Sequence, residues 1–308
     1  MAEAVLPVPT AAASVRAARR RAIMCVLAAS AIFSLGAAFV KALTESVPII
    51  EIVMFRGYIG FLAMTPVLWR HGGLAALKTR QPSGHILRTV YGFFGTVSTV
   101  YGFAFLPLVT VTALGFAMPL VLTALSVPLL REKVGWRRAS AILVGFGGVL
   151  IILRPWEAAA SGSAELGAIA FVLAGVVTWA LAMITIRKMG EAGERNVTIV
   201  AWYTLGTALL ATIGTIPVWI TPTVPQLLAL LAAGVMSGVA QLLMTEGYRG
   251  GETTLVAPFE YGAIVYTTIL GIAIWSDYPD AWDFTGVAVL IGAGMYIWHR
   301  EVTLGIRR

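Results

Sequence analysis

Ten stretches of about twenty residues in this chain carry almost no charge, and they constrain the fold more than any other feature. The hydrocarbon core of a bilayer is about 30 Å thick, so a helix needs about 20 mostly apolar residues to cross it. Such runs lie at 22–43, 48–69, 86–105, 108–130, 137–154, 165–187, 197–220, 225–247, 253–275 and 282–299. Only 12% of the 308 residues are charged and 58% are hydrophobic, whereas a soluble chain carries about 25% charge. The pattern predicts an all-α integral membrane protein with ten transmembrane helices. The tightest junction is Phe105-Leu106-Pro107-Leu108, where the proline marks a turn between two helices and not the middle of one long helix.

The distribution of positive charge tests that count. With the N-terminus inside, alternate loops hold the groups Arg16–Arg21, Arg70–Arg88, Arg131–Arg138, Arg187–Arg195, Arg249 and Arg300–Arg308, which are 19 of the 22 Lys and Arg. Outside fall only Lys41 and Arg154, and Arg56 lies within the second span. Such a bias predicts that both termini are cytoplasmic. Asp277, Asp280 and Asp283 fall in an outer loop, where acidic residues weigh little on topology. The formal charge of +7 is therefore a loop signature, and nucleic acid is not an expected partner. Cys25 is the one cysteine, so no intrachain disulfide can form. Residues 1–21, small and Pro-containing, are expected to be a disordered cytoplasmic tail and not a signal peptide, and residues 300–308 a second tail.

The ten spans divide at a linker, 155–164, into 22–154 and 165–299. Phe105–Gly148 and Gly250–Gly294 each run through a Pro-containing span to a short polar turn, Arg131-Glu132-Lys133 or Ser276-Asp277-Tyr278. Each then enters a glycine-rich helix, Val144-Gly145-Phe146-Gly147-Gly148 or Leu290-Ile291-Gly292-Ala293-Gly294. Five is odd, so the second half is inserted upside down relative to the first. Two inverted five-helix repeats suggest alternating access.

Four motifs in this order carry a family resemblance: Phe55-Arg56-Gly57 in span two, Arg131-Glu132-Lys133 after span four, the glycine-rich span five, and Ala257-Pro258-Phe259-Glu260 opening span nine. Over residues 22–299 the chain resembles the drug/metabolite transporter superfamily, of the EamA type with ten spans. In the second half the family's Gly-Glu turn reads Ser276-Asp277. The resemblance implies a multi-pass protein of the bacterial inner membrane, without a cofactor, exporting amino acids or other small metabolites. Within the superfamily the chain looks closest to aromatic amino-acid exporters. It also implies a small-molecule substrate, protons as a candidate coupling ion, and a monomer or homodimer.

Helical spacing indicates which faces avoid lipid. Thr112, Gly115, Pro119, Thr123 and Ser126 form one stripe; Ser237, Gln241, Thr245 and Tyr248 a second; Thr253, Glu260, Thr267 and Gly271 a third; Ser30 and Ser34 a short fourth. Each could serve helix packing alone or line a shared polar cavity. Arg56, about 12 Å into span two at about 1.5 Å per residue, is too deep to reach the interface. It either pairs with Glu51, Glu260 or helix-end carbonyls, or anchors a substrate carboxylate. Glu260 either pairs with another helix or serves as an ammonium acceptor or titratable coupling group. Trp179 and Tyr101 are candidate aromatic walls, and Trp202 and Tyr203 are read as interfacial anchors. The candidate substrate-binding residues are thus Ser34, Arg56, Tyr101, Pro119, Trp179, Gln241, Glu260 and Thr267.

No G-K-[ST] phosphate loop, H-E-x-x-H motif or Cys/His cluster occurs, and His71, His85 and His299 lie near cytoplasmic ends, so neither ATP hydrolysis by that route nor a metal is expected. The reading that follows is a secondary transporter exporting amino acids. The alternative is an exporter of other small compounds such as purines or toxic organic cations. An intramembrane enzyme is a remote third, because Arg56 and Glu260 alone sit deep and no nucleophile–base set accompanies them.

Overall fold

The computed structural model describes residues 11–130, 136–154, 163–250 and 261–303. Its helices are α1 (Ala11–Leu43), α2 (Ile49–Arg70), α3 (Pro82–Phe105), α4 (Leu108–Gly115), α5 (Met118–Leu130), α6 (Trp136–Leu153), α7 (Ser163–Glu191), α8 (Asn196–Thr215), α9 (Val224–Gly250), α10 (Gly262–Leu270) and α11 (Ala281–Thr303). A 3-10 turn at Gly73–Leu77 follows α2, and a π-helical turn at Gly271–Trp275 ends α10. Helices are the element a bilayer permits here, because each satisfies its own backbone N–H and C=O groups away from water. Large apolar side chains such as Leu62, Leu143 and Ile213 stand 63%, 73% and 67% exposed, which suits lipid and not water.

Several boundaries differ from the sequence reading, three of them with consequences for the fold. Helix α1 begins at Ala11, eleven residues before the expected first span and within the segment expected to be a tail, because Ala11–Arg21 is rich in alanine and arginine, both strong helix formers. The fourth span is two helices, α4 and α5, separated at Phe116 and Ala117. Pro119 has no N–H for the carbonyl of Gly115, so the hydrogen-bond ladder cannot continue through it. The helix of span six also runs on to Glu191.

The helices pack in pairs, α1 with α9, α2 with α8, α3 with α7, α4 with α10 and α6 with α11. Counted as spans, these are first with eighth, second with seventh, third with sixth, fourth with ninth and fifth with tenth. Advancing every number by five exchanges the first of these pairs with the third and leaves the other three unchanged. A two-fold relation between the repeats requires that pattern. At the α6–α11 crossing the backbones nearly touch. A Cβ on Gly148 would lie 2.9 Å from the Gly286 carbonyl, and one on Gly286 2.8 Å from the Gly148 carbonyl, so only glycine fits.

Polar contacts tie the repeats together at both ends of the bundle. At one end Lys41 reaches Asp277 at 3.4 Å and donates to the Leu106 carbonyl at 2.9 Å. There Arg154, in a left-handed conformation (φ 40°), forks between Asp280 at 2.6 Å and Asp283 at 3.1 Å. At the other end Glu194 accepts from Thr79 at 2.8 Å and faces His85 at 3.8 Å. Arg195 donates to the His71 carbonyl, and the indole of Trp202 to that of Leu77.

Candidate functional site

Between the repeats lies a cavity of about 370 Å³, within the usual range for a small-metabolite site. Its first-repeat wall includes Phe33 and Ser34 of α1, Arg56 of α2, Thr99 and Phe103 of α3, Thr112 and Gly115 of α4, and Met118 of α5. The second repeat supplies Val176 and Trp179 of α7, Ser237 of α9, and Ala263 and Thr267 of α10. The break between α4 and α5 therefore opens onto this space, with Gly115 and Met118 on its two sides.

Arg56 presents a half-buried guanidinium to the cavity, and its Nη2 lies 3.5 Å from the Ser237 hydroxyl. Among the described residues no carboxylate forms an ion pair with it. Glu51 is not its partner: that fully buried carboxylate accepts the Ile220 backbone N–H at 3.2 Å, and its other oxygen has no partner among the described residues. Five helical positions turn the two side chains about 140° apart.

The hydroxyls around the cavity share one arrangement. Ser34 donates to the Ser30 carbonyl at 2.8 Å, Thr99 to Gly95 at 2.8 Å, Thr112 to Leu108 at 2.9 Å and Thr267 to Ala263 at 2.9 Å. Each bonds back one turn along its own helix. With the protons so committed, the oxygens offer lone pairs to the cavity. The site thus sets a charged fork of donors against four neutral acceptors. Among the described residues no group of three or more His, Cys, Asp or Glu side chains could hold a metal ion.

Of the residues expected from sequence, Ser34, Arg56, Trp179 and Thr267 meet on this cavity. Tyr101 is not part of the lining. It packs at a tilt against Phe105 at 4.6 Å and edge to face against Phe171 at 5.1 Å, because two helical positions from Thr99 turn it about 200° away. Gln241 is exposed, one turn of α9 beyond Ser237. The side chain of Pro119, and Glu260 with the Ala257–Phe259 stretch, lie outside the described residues. Thr99 and Phe103 were not foreseen, and neither was Arg88. Counted among the loop cations, Arg88 is only 6% exposed. Its guanidinium lies 3.9 Å from the Tyr203 ring centroid and 5.3 Å from that of Trp179. Its spacing to Gly92, Gly95 and Thr99, four, three and four residues, was the available signal. Trp202 and Tyr203 part company: Trp202 is exposed, whereas the Tyr203 hydroxyl is hydrogen-bonded to Thr96 at 2.9 Å.

The curated proteins this chain resembles include transporters. The S-adenosylmethionine uptake transporter of Rickettsia bellii is 29% identical over 252 residues, covering 82% of this chain and 84% of that protein. A riboflavin transporter of Rhizobium johnstonii is 30% identical over 243 residues, 79% of this chain and 78% of that one. The pseudopaline exporter CntI of Pseudomonas aeruginosa is 29% identical over 275 residues, 88% and 93%. A solved crystal structure superposes with a TM-score of 0.63 over 93% of this chain and 99% of its own, at 20% identity, which speaks for the fold alone. The model of the EamA-like transporter family matches twice, over residues 20–154 and 166–298. A repeated match across both halves, on a ten-span helical bundle with a cavity between them, places this chain in the EamA-like transporter family.

Proposed function

We propose that the protein exports amino acids, aromatic and other neutral ones, or closely related small metabolites, by alternating access from the inner membrane of a bacterium. The observation that carries the reading is the pairing of Arg56 with the committed hydroxyls on one cavity wall. A guanidinium fork suits a carboxylate, and Ser34, Thr99, Thr112 and Thr267 suit the N–H groups of an ammonium. Trp179, Phe33 and Phe103 supply flat apolar surface for a side chain. The same wall disfavours simple organic cations, which Arg56 would repel. Export is the direction the chain's overall resemblance suggests, and its relatives include proteins named for uptake and for export.

A second reading is favoured by the relatives' names. S-adenosylmethionine joins an α-amino-acid end to a purine, and riboflavin carries a planar ring system without a carboxylate, so a substrate that joins a carboxylate to a nucleobase-like ring would use both the anchor and the aromatic wall. The test is efflux of radiolabelled l-tryptophan, l-phenylalanine and S-adenosylmethionine from preloaded cells expressing the protein, with and without Arg56→Ala. Amino-acid efflux that requires the protein and falls about tenfold or more in the variant supports the first reading. Efflux of S-adenosylmethionine alone moves the assignment to the second. Neither occurring removes both.

A further inference from the structure

Arg88 sits in α3 behind the cavity wall. Arg88, Gly92, Gly95 and Thr99 recur at helical spacing and share one face of that helix, and Thr99 lines the cavity. Eleven residues at about 1.5 Å each put Arg88 about 16 Å further along the helix, toward the end of the bundle that holds His85 and Glu194. The two glycines are what make the face passable. A Cβ at Gly92 would collide with Arg88 Nη1 and the Tyr203 ring, and one at Gly95 would lie 2.6 Å from the Trp179 ring. Arg88, Tyr203 and Trp179 therefore pack close against the helix, the two rings meeting edge to face at 63°, and Trp179 also lines the cavity.

The charge on Arg88 is unusually bare. The side chain is 6% exposed, and neither Nε nor Nη1 has a hydrogen-bond partner among the described residues. No carboxylate among the described residues forms an ion pair with it. Its company is the faces of Tyr203 and Trp179, with the Tyr203 hydroxyl as a polar neighbour. Cation–π contact offsets only part of the cost of burying a guanidinium, so Arg88 keeps two unbonded nitrogens beneath two aromatic rings. An aromatic side chain on one helix can change rotamer without disturbing the ladder.

We propose that Arg88 is a second carboxylate-binding station of the pathway, covered in this conformation by Trp179 and Tyr203, and that it holds the anionic end of the substrate on the His85–Glu194 side of the cavity while Arg56 holds it within. The inference rests on the reading that the cavity passes a carboxylate-bearing solute. Swinging Trp179 away from Gly95 joins the station to the cavity along the α3 face, and a carboxylate oxygen can then accept from one of the two unused donors, Nη1 or Nε.

Phenylglyoxal, which modifies accessible guanidinium groups, gives a readout independent of transport. The full chain in lipid nanodiscs is treated with it, and modification of Arg88 is followed by peptide mass spectrometry. In the wild type Arg88 reacts slowly. Trp179→Ala, or Tyr203→Leu if the first variant does not fold, accelerates the reaction at Arg88, and millimolar benzoate slows it again whereas benzylamine, the same ring with a cation, does not. Arg88 that stays unreactive in both variants, or protection by benzoate and benzylamine alike, overturns the proposal. In efflux of l-tryptophan, Arg88→Gln reduces the rate about tenfold or more and Arg88→Lys less, at unchanged yield and melting temperature. Normal l-tryptophan efflux by a well-folded Arg88→Gln protein overturns the station and leaves the function intact. Absence of amino-acid efflux by the wild type, with benzoate still protecting Arg88, sinks the amino-acid reading and keeps the station.

Discussion

Arg56 carries a charge well inside the bundle, where its polar contact among the described residues is a weak one to Ser237, and a cation kept at such depth is expensive unless it is used. Arg56→Lys keeps the charge but loses the planar fork. It should therefore impair efflux of a carboxylate substrate more than it lowers the melting temperature. Arg56→Ala, inserted at normal yield and exporting at the parental rate, would end the anchor role. The hydroxyls make a separate prediction. Because Thr99 and Thr267 satisfy only their own helices, Thr99→Val and Thr267→Val should leave the melting temperature nearly unchanged. Both should raise KM for l-tryptophan several-fold, with a smaller effect on its deaminated analogue. Some of this was legible in the sequence. Ser34, Arg56 and Thr267 are polar groups in otherwise apolar runs, and polarity at membrane depth is a strong signal. Tyr101 lies off the cavity because its place within an apolar run says nothing about which side of α3 it occupies. Arg88 was misjudged because a charge count near a span end cannot tell a loop cation from one folded back along its helix.

At the level of elements, the break between α4 and α5 is the feature with the clearest cause. Pro119→Ala returns a donor for the Gly115 carbonyl and lets the two helices fuse. The expected result is a protein no less thermally stable, since Ala exceeds Pro by about 3 kcal/mol in a helix interior, yet with efflux reduced several-fold because Gly115 and Met118 are drawn out of the cavity wall. A fall in stability with efflux preserved would show that the break is only structural. The α6–α11 crossing should behave in the opposite way. Gly148→Ala places a methyl against the Gly286 carbonyl, and such overpacking costs about 1–3 kcal/mol, read as a lower melting temperature. The ten spans and the repeat were legible because hydrophobic length is a blunt and reliable requirement of lipid. The division of span four was not, although Pro119 was visible, since a proline in a membrane helix can equally leave a kinked but continuous segment.

For the whole molecule, the proposed transport cycle would be set by the two polar ends. Alternating access requires each end to open while the other holds, so the Lys41–Asp277 and Arg154–Asp280–Asp283 contacts at one end compete with Glu194 and its partners at the other. We expect the first end to face outward and both termini to be cytoplasmic. Reporter fusions after Arg80, Lys188 and Arg308 should then be active only for a cytoplasmic reporter. Asp277→Asn should weaken the outer closure and increase labelling by an external thiol reagent of a cysteine placed at Ser237, whereas exchanging the charges, Lys41→Asp with Asp277→Lys, should restore protection in part. The outer contact also has a pH signature. Backbone N–H donation from Asp283 and Trp282, together with Arg154, holds the Asp280 carboxyl below its ordinary value of 3.8. A depressed carboxylate contributes stability that is fully present above the ordinary value and is lost as pH falls through the folded one. The melting temperatures of wild type and Asp280→Asn should therefore differ at neutral pH and converge in acid. The effect should be small, because this side chain is largely solvated.

The weak contact of Arg56 with Ser237 bears on how the unloaded carrier returns. Passing through an occluded intermediate with an uncompensated guanidinium costs more than passing through it with a carboxylate seated on the fork, so the empty return stroke should be the slow one. A solute taken from the far side would spare the protein that step. Efflux of labelled l-tryptophan from proteoliposomes should therefore accelerate when unlabelled amino acid is added outside, and Arg56→Gln, whatever it loses in affinity, should lose that acceleration as well.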